Sequence, residues 1–455
     1  MSSAQGRRNG WGLWIATLFM AEEIPASIVT FVAILMFLQT GTSPAIATCY
    51  CGLLFLPWVL KSFLRAHVRR MGYFRRQLQW LELSFVAVLM ALAFTFLRYT
   101  HRSLFLFVWL FVLSFLTAWH ELAARMYYER MFRPRIQRIY NTPKIIASQS
   151  AVVLTYGLLI MFVGALQVFY RRIPRSWTEG CYLIAGALLF FALYHLFALH
   201  RPNHADPRLH SSPIKAVRDE MRVIDRIRQK PLWLRYVVVL ALLLLPQSLM
   251  FYSRVLFLYL PKADGGLGCT IQEIGFAQGT VGVIAFSIGM LAGRQLMSWI
   301  NVRRILWWYA IPLGLSPLVY LLMTYEPPTS LMTLSIATFQ AQFFFGFGLS
   351  VVAFFVRYIS GDRYRNTINY LYIPLVATVM LPAMSLSGLL VQVMGFRTFF
   401  LMDVLLAPVA WLYLYFMLRA RKQVSASSKC DVAGDVSTTL PNHEPEVPEP
   451  VDEGS

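Results

Sequence analysis

Two adjacent carboxylates, Glu22 and Glu23, interrupt an apolar run that extends from residue 11 to residue 39. An ionisable side chain at a bilayer centre costs about 2.5–3.5 kcal/mol, so it persists where it pairs or faces a cavity. At the helical rise the pair lies about 17 Å into the run, near its middle. Neighbouring positions on a helix are about 100° apart, so the two are expected to face different directions, with Glu22 toward a central cavity as a proton carrier. The other reading pairs Glu22 with Lys61 for structure. Pro25, one turn on, loosens the backbone there.

A second cluster is His120, Glu121 and Arg125. Glu121 and Arg125, four apart, share one helix face and can form an ion pair, which either anchors the helix or serves a proton pathway. A carboxyl or imidazole held at low dielectric can exchange protons near neutral pH, as coupling to a proton gradient requires. Lys61 either snorkels to the interface or contacts a substrate anion. Arg254, at the end of its apolar run, has the same two readings. Gln247, Gln278, Gln340 and Gln342 carry amides that donate and accept together, suited to sugar hydroxyls or to hydrogen bonds between helices. Trp58, Trp119, Tyr252 and Tyr370 could stack on a sugar face, or simply fill core and lipid-facing positions. Gly275, Gly279, Gly282, Gly289 and Gly293 recur at three to seven residues, and Gly346, Gly348 and Gly388 follow. Small residues so spaced let helices approach closely, for sliding or for static packing.

The elements that position these residues follow from composition. Apolar residues make up 57% of the 455 residues and charged ones 14%, and the mean hydropathy is +0.55. Surface that apolar needs a bilayer as solvent. Apolar runs long enough to span one occur at 11–39, 44–64, 78–97, 104–126, 145–169, 180–199, 233–259, 271–295, 304–324, 330–356, 366–392 and 397–418. The sequence thus predicts an all-α integral membrane protein with 12 transmembrane helices. The net charge of +19 lies in short basic clusters between runs, not in a basic domain, so nucleic acid is not expected as a partner. Those clusters, Arg65 to Arg76, Arg125 to Lys144 and Arg201 to Arg235 among them, put both termini in the cytoplasm. The long segment 200–232 reads as a cytoplasmic linker with an amphipathic helix around residues 216–229. Residues 421–455, acidic and proline-rich, read as a disordered tail. The five cysteines form no CxxC or His/Cys cluster, so neither a disulfide framework nor a metal site is indicated, and no cofactor is expected. Without a phosphate-binding GxxxxGK[ST] loop the driving force must be a gradient. No hydrolytic signature suggests an enzyme.

Six runs, a linker and six more runs suggest duplication into two pseudo-symmetric six-helix bundles, 1–199 and 233–420, joined by 200–232. The runs at 44–64 and 271–295 both lead into a basic turn with paired arginines, Arg75-Arg76 and Arg303-Arg304. Gly72, Arg70, Arg75 and Arg76 match the glycine and basic positions of the signature loop of the major facilitator superfamily. Arg69 stands at its acidic position, a charge reversal. Further stretches make the chain similar to the AmpG-type muropeptide permease branch, in its divergent form common in Bacteroidetes-like bacteria. These are the turn Glu22–Pro25, Leu56-Pro57-Trp58 with Lys61, and His120-Glu121 before alanines and aromatics, where Arg125 replaces a family aspartate. The segment Gly265–Gly293 and the stretch Leu381–Phe400 complete the set.

The resemblance implies a permease of the bacterial inner membrane that works by alternating access. It implies import of a muropeptide or sugar-like small molecule with protons, surrounded by membrane lipids, and a single working chain. Two alternatives stay open. One is transport of another organic anion or sugar, which the added cations at Arg69 and Arg125 favour. The other is a receptor or scaffold derived from a transporter. The candidate substrate or proton pathway comprises Glu22, Glu23, Lys61, His120, Glu121, Arg125, Gln247, Arg254, Gln278 and Gln340.

Overall fold

Apolar runs of this length can satisfy their backbone N–H and C=O groups in lipid only by folding into helices. The computed structural model describes residues 2–99, 102–200, 218, 233–299, 311–360 and 365–437, and every regular element among them is helical. The chain begins with α1 (Ser2–Ser27), passes through a π-helical stretch, Ile28–Val32, and continues as α2 (Ala33–Gln39). Next come α3 (Pro44–Leu53), α4 (Leu56–Val59) and α5 (Lys61–Met71). Then follow α6 (Phe74–Arg98), α7 (Ser103–Met131) and α8 (Pro134–Val152). A second π stretch, Val153–Leu159, leads into α9 (Ile160–Tyr170), and α10 (Ile173–Ala198) closes this part. Later come α11 (Trp233–Tyr259) and α12 (Ile271–Ile274), then a third π stretch, Gly275–Gly282, and α13 (Val283–Trp299). The last helices are α14 (Ile311–Tyr325), α15 (Leu331–Ser360) and α16 (Arg365–Ser437).

Among the described residues nine helices are long and apolar enough to cross a bilayer, or ten when the bent pair Pro44–Val59 and Lys61–Met71 counts as one span. That span, which contains Pro57 as a candidate kink, bends by 48°. Pro57 sits in the first turn of α4, and α5 restarts at Lys61. Gly395, at φ +74, interrupts α16 and separates the two spans expected on either side of it. The capping box Thr270–Glu273 starts α12, the Thr270 side chain accepting from the Glu273 amide and the Glu273 carboxylate from the Thr270 amide.

Met1–Trp411 forms one compact unit, and Leu412 onward forms a second that is helical as far as Ser437. The segment expected to be a disordered tail therefore starts within a helix, and its residues 438–455 lie outside those described. The linker helix expected near 216–229 lies outside them too, apart from Arg218. The outward faces of α6 and α10 are apolar, with Trp80, Met90, Phe94, Phe190 and Phe197 exposed. Exposed patches of that size belong against lipid. The described helices thus make a multi-pass membrane protein.

Candidate functional site

Three of the elements that carry chemistry are irregular. A π-helical stretch widens the backbone by one residue per turn and commonly marks a functional site. Here all three such stretches contribute to the wall of one cavity, through Thr30 and Phe31, Tyr156, and Gln278 and Gly282. Its volume is about 430 Å³, within the roughly 300–1,000 Å³ of small-molecule sites. Helices from both ends of the chain enclose it. Glu22, Glu23, Trp58, Glu121 and Gln149 come from the first part, and Gln247, Arg254, Phe286, Gln342 and Met380 from the second.

One side of the wall is aromatic. Phe31 stacks on Tyr156 at 5.1 Å between ring centroids and on Phe251 at 5.6 Å. Phe55 meets Phe251 edge-on at 5.9 Å. Such offset and edge contacts add about 0.5–1.5 kcal/mol per pair beyond the burial itself. This panel ties the stretch after α1 to α11.

The polar groups fall into three sets. In the first, the Lys61 ammonium forms an ion pair with Glu121, and Trp58 Nε1 donates to Glu121 Oε2 at 3.1 Å. The bend before α5 carries Lys61 inward, where it is buried, so the snorkelling reading gives way to a buried pair. Glu121 was expected to pair with Arg125; its bonded partners are Lys61 and Trp58, while Arg125 Nε reaches Glu129 at 3.2 Å. Arg125 and Lys61 border a small side recess together with Glu121, not the main cavity.

In the second set, Glu22 and Glu23 both line the cavity. The 100° between them does not send one away, because the cavity faces more than that arc of α1. Glu22 Oε2 is buried and has no hydrogen-bond partner. Lys144 of α8, absent from the sequence candidates, lies close enough for its charge to act on both Glu22 and Glu121, and its ammonium sits 3.9 Å from the Phe19 ring centroid.

The third set is Arg254 with the amides. Arg254 is only 5% exposed and lines the cavity, so it is not an interfacial anchor. Its guanidinium carbon lies 5.2 Å from the Phe251 centroid and 5.7 Å from that of Phe345. Gln342 Nε2 donates to Gln278 Oε1 at 3.0 Å, and Gln278 Nε2 donates to the Tyr320 hydroxyl at 2.6 Å. Gln247 lines the cavity and donates to the Leu313 carbonyl.

Two candidates point elsewhere. Gln340 is exposed, whereas Gln342, two residues on, is buried in the wall. His120 is fully buried away from the cavity, beside Glu82. Glu82 Oε1 lies 2.7 Å from His195 Nδ1 and 3.4 Å from His120 Nε2, and His195 Nε2 lies 2.9 Å from Thr17 Oγ1. This cluster joins α1, α6, α7 and α10. Glu82 and His195 carry the same signal in the sequence, an ionisable group inside an apolar run, without being among its candidates. The same holds for Asp403, whose two carboxyl oxygens are buried without a partner. Of the aromatics, Trp58 lines the cavity, Trp119 donates to Gln77 and Tyr252 to the Cys51 carbonyl. The side chain of Tyr370 lies outside those described.

Glycines bring early and late helices together beside this cavity. A Cβ on Gly279 would strike the Tyr156 carbonyl, and one on Gly388 would strike Pro44 and Thr48. The Gly388 amide donates to Thr48 Oγ1 at 3.1 Å. Gly289 and Gly346 do the same between α13 and α15, against Phe343 and Phe286. In the loop where Arg69 reverses a charge, Gln77 Nε2 donates to the Val68 and Gly72 carbonyls. Trp119 in turn donates to Gln77 Oε1 at 2.8 Å. A neutral amide thus holds that turn, with Gly72 at φ +60.

No family model and no curated protein matches this chain. Solved structures do. A bacterial homologue of the human lysosomal transporter Spinster, in an inward-facing and occupied conformation, superposes with a TM-score of 0.65 at 14% identity. It covers 91% of this chain and 97% of its own. The nucleoside transporter NupG gives 0.63 at 12% identity, over 90% and 98%. The xylose transporter XylE from E. coli, inward open, gives 0.60 at 11% identity, over 88% and 95%. These are transporters of the major facilitator fold, not enzymes, and this chain has their fold.

Proposed function

We propose that this chain is a secondary active transporter of a bacterial cytoplasmic membrane, importing a small organic solute together with protons. The carrying observation is one cavity walled by helices from both ends of the chain, into which Glu22, Glu23, Glu121 and Arg254 project. Counting the broken span at α3–α5, the two sides of Gly395 and the short apolar α14 as spans supports a reading of twelve. Two six-helix bundles with cytoplasmic termini follow from that count and from the basic loops. Alternating access then consists of rocking about the glycine contacts at Gly279 and Gly388.

Glu22 is the proposed proton carrier, because one of its oxygens is buried and unpartnered beside the cavity. Glu121, held by Lys61 and Trp58, is the positioning group. The test is solute uptake into proteoliposomes with and without an imposed proton gradient. Glu22→Gln is expected to lose gradient-driven accumulation and to keep solute exchange; unchanged accumulation would clear Glu22 of coupling.

A muropeptide remains the specific solute suggested by the sequence resemblance, and uptake of labelled anhydro-muropeptide tests it. The aromatic wall supports a solute with more apolar surface than a bare sugar. Saturable binding of a solute with no uptake, under any gradient, would favour the receptor reading instead.

A further inference from the structure

We propose that Arg254 is an anion-binding element of the cavity and that its solute is a monovalent carboxylate on an apolar, aromatic-sized body. This deepens the transport reading and rests on it, but the binding step can be measured by itself.

The buried guanidinium of Arg254 needs a partner for its charge. Its Nε has no hydrogen-bond partner, and among the described residues no carboxylate pairs with it. The faces of Phe251 and Phe345 lie within cation–π range and hold the guanidinium without neutralising it. A second donor is idle close by. The Tyr156 hydroxyl is buried without a partner, in the same wall and within electrostatic reach of Arg254. A guanidinium and a hydroxyl left unsatisfied in one cavity suit an acceptor that arrives with the solute. The planar guanidinium fork matches a carboxylate.

The charge count sets the valence. The other charged groups in the wall are Glu22, Glu23 and Glu121, and Glu121 is occupied by Lys61. Arg254 is then the one cation of the described wall without a paired carboxylate, while Glu22 and Glu23, with Lys144 near Glu22, make up the rest of its charge. The second charge of a dianion would therefore meet carboxylates and no free cation. The wall sets the body. Tyr156, Phe31, Phe251 and Phe55 form a continuous aromatic panel. The amides offer less to sugar hydroxyls than the sequence suggested, since Gln278 already donates to Tyr320 and accepts from Gln342.

The experiment uses the purified full chain in detergent and three probes: 4-phenylbutanoate, its primary amide and phenyl phosphate. Affinity is read from thermal-unfolding shifts for the unsubstituted protein, Arg254→Gln and Arg254→Lys. The carboxylate is expected to bind at least tenfold more tightly than the amide, Arg254→Gln to erase that difference, and Arg254→Lys to keep part of it. Without probe, Arg254→Gln is expected to unfold at the same or a higher temperature, since it removes an uncompensated buried charge. A lower midpoint, or a variant that does not fold, would mean Arg254 is a structural partner and would overturn the assignment. So would equal binding of carboxylate and amide, no binding by any probe, or preference for the phosphate. Uptake of labelled 4-phenylbutanoate into proteoliposomes separates the two readings. Arg254-dependent binding without uptake sinks transport alone, whereas equal uptake of the amide by the protein and by Arg254→Gln sinks the anion site alone.

Discussion

Lys61 and Glu121 show what a buried charge does once its partner is known. Each group is expensive in low dielectric, and the pair recovers part of that cost. Removing one partner is therefore expected to destabilise more than removing both. Lys61→Met alone should lower stability by about 3–5 kcal/mol, and Lys61→Met with Glu121→Leu should regain most of it. Thermal unfolding of the single and double variants in detergent measures this; additive losses would show that the two do not act as a pair. The cost of an ionisable group in an apolar run pointed to Glu22, Glu23 and Glu121 as candidates, but the sequence turned only Glu22 toward the cavity that all three line. The same cost applies to Glu82, His195 and Asp403, which sit elsewhere. Spacing along one helix tells which residues share a face; it does not tell what that face meets. For that reason His120 turned toward Glu82, and Gln342 rather than Gln340 reached the wall.

Helix-breaking features decide function at the scale of elements. Proline and glycine positions were visible in the sequence, and the bend at α3–α5 and the interruption at Gly395 fall near Pro57 and at that glycine. The three π stretches had no sequence signal, because they arise from how a helix settles against its neighbours. The glycines divide by what a methyl group would meet. Gly279→Ala would press on the Tyr156 carbonyl, so about 1–3 kcal/mol of destabilisation and loss of uptake are expected. Gly186 in α10 has open space around it, so Gly186→Ala should gain up to about 1 kcal/mol with uptake kept. Equal behaviour of the two variants in unfolding and uptake assays would remove the close-contact argument.

For the whole molecule, rocking predicts that a covalent tie across a moving contact stops transport. Thr48 Oγ1 donates to the Ser385 carbonyl at 3.3 Å, which makes Thr48→Cys with Ser385→Cys a suitable pair. In a background lacking the native cysteines, a short bifunctional thiol reagent should abolish uptake; a disulfide-containing reagent should allow reduction to restore it. Full uptake in the cross-linked protein would show that this contact is static. Among the described cysteines Cys51 and Cys181 are buried and burial pushes the Cys269 thiol up to about 11, which leaves exposed Cys49 as the readiest competitor for the reagent. Continuous hydrophobic runs alone settled that this is a helical membrane protein, because an unbroken apolar run of about 20 residues satisfies its backbone in a bilayer as a helix, whereas the strands of a barrel alternate apolar and polar residues. They could not settle which costly groups meet. The Lys61–Glu121 pair, the unpaired Arg254 and the Glu82–His195 contact depend on rotation and close approach of helices far apart in sequence, and only the folded chain sets those.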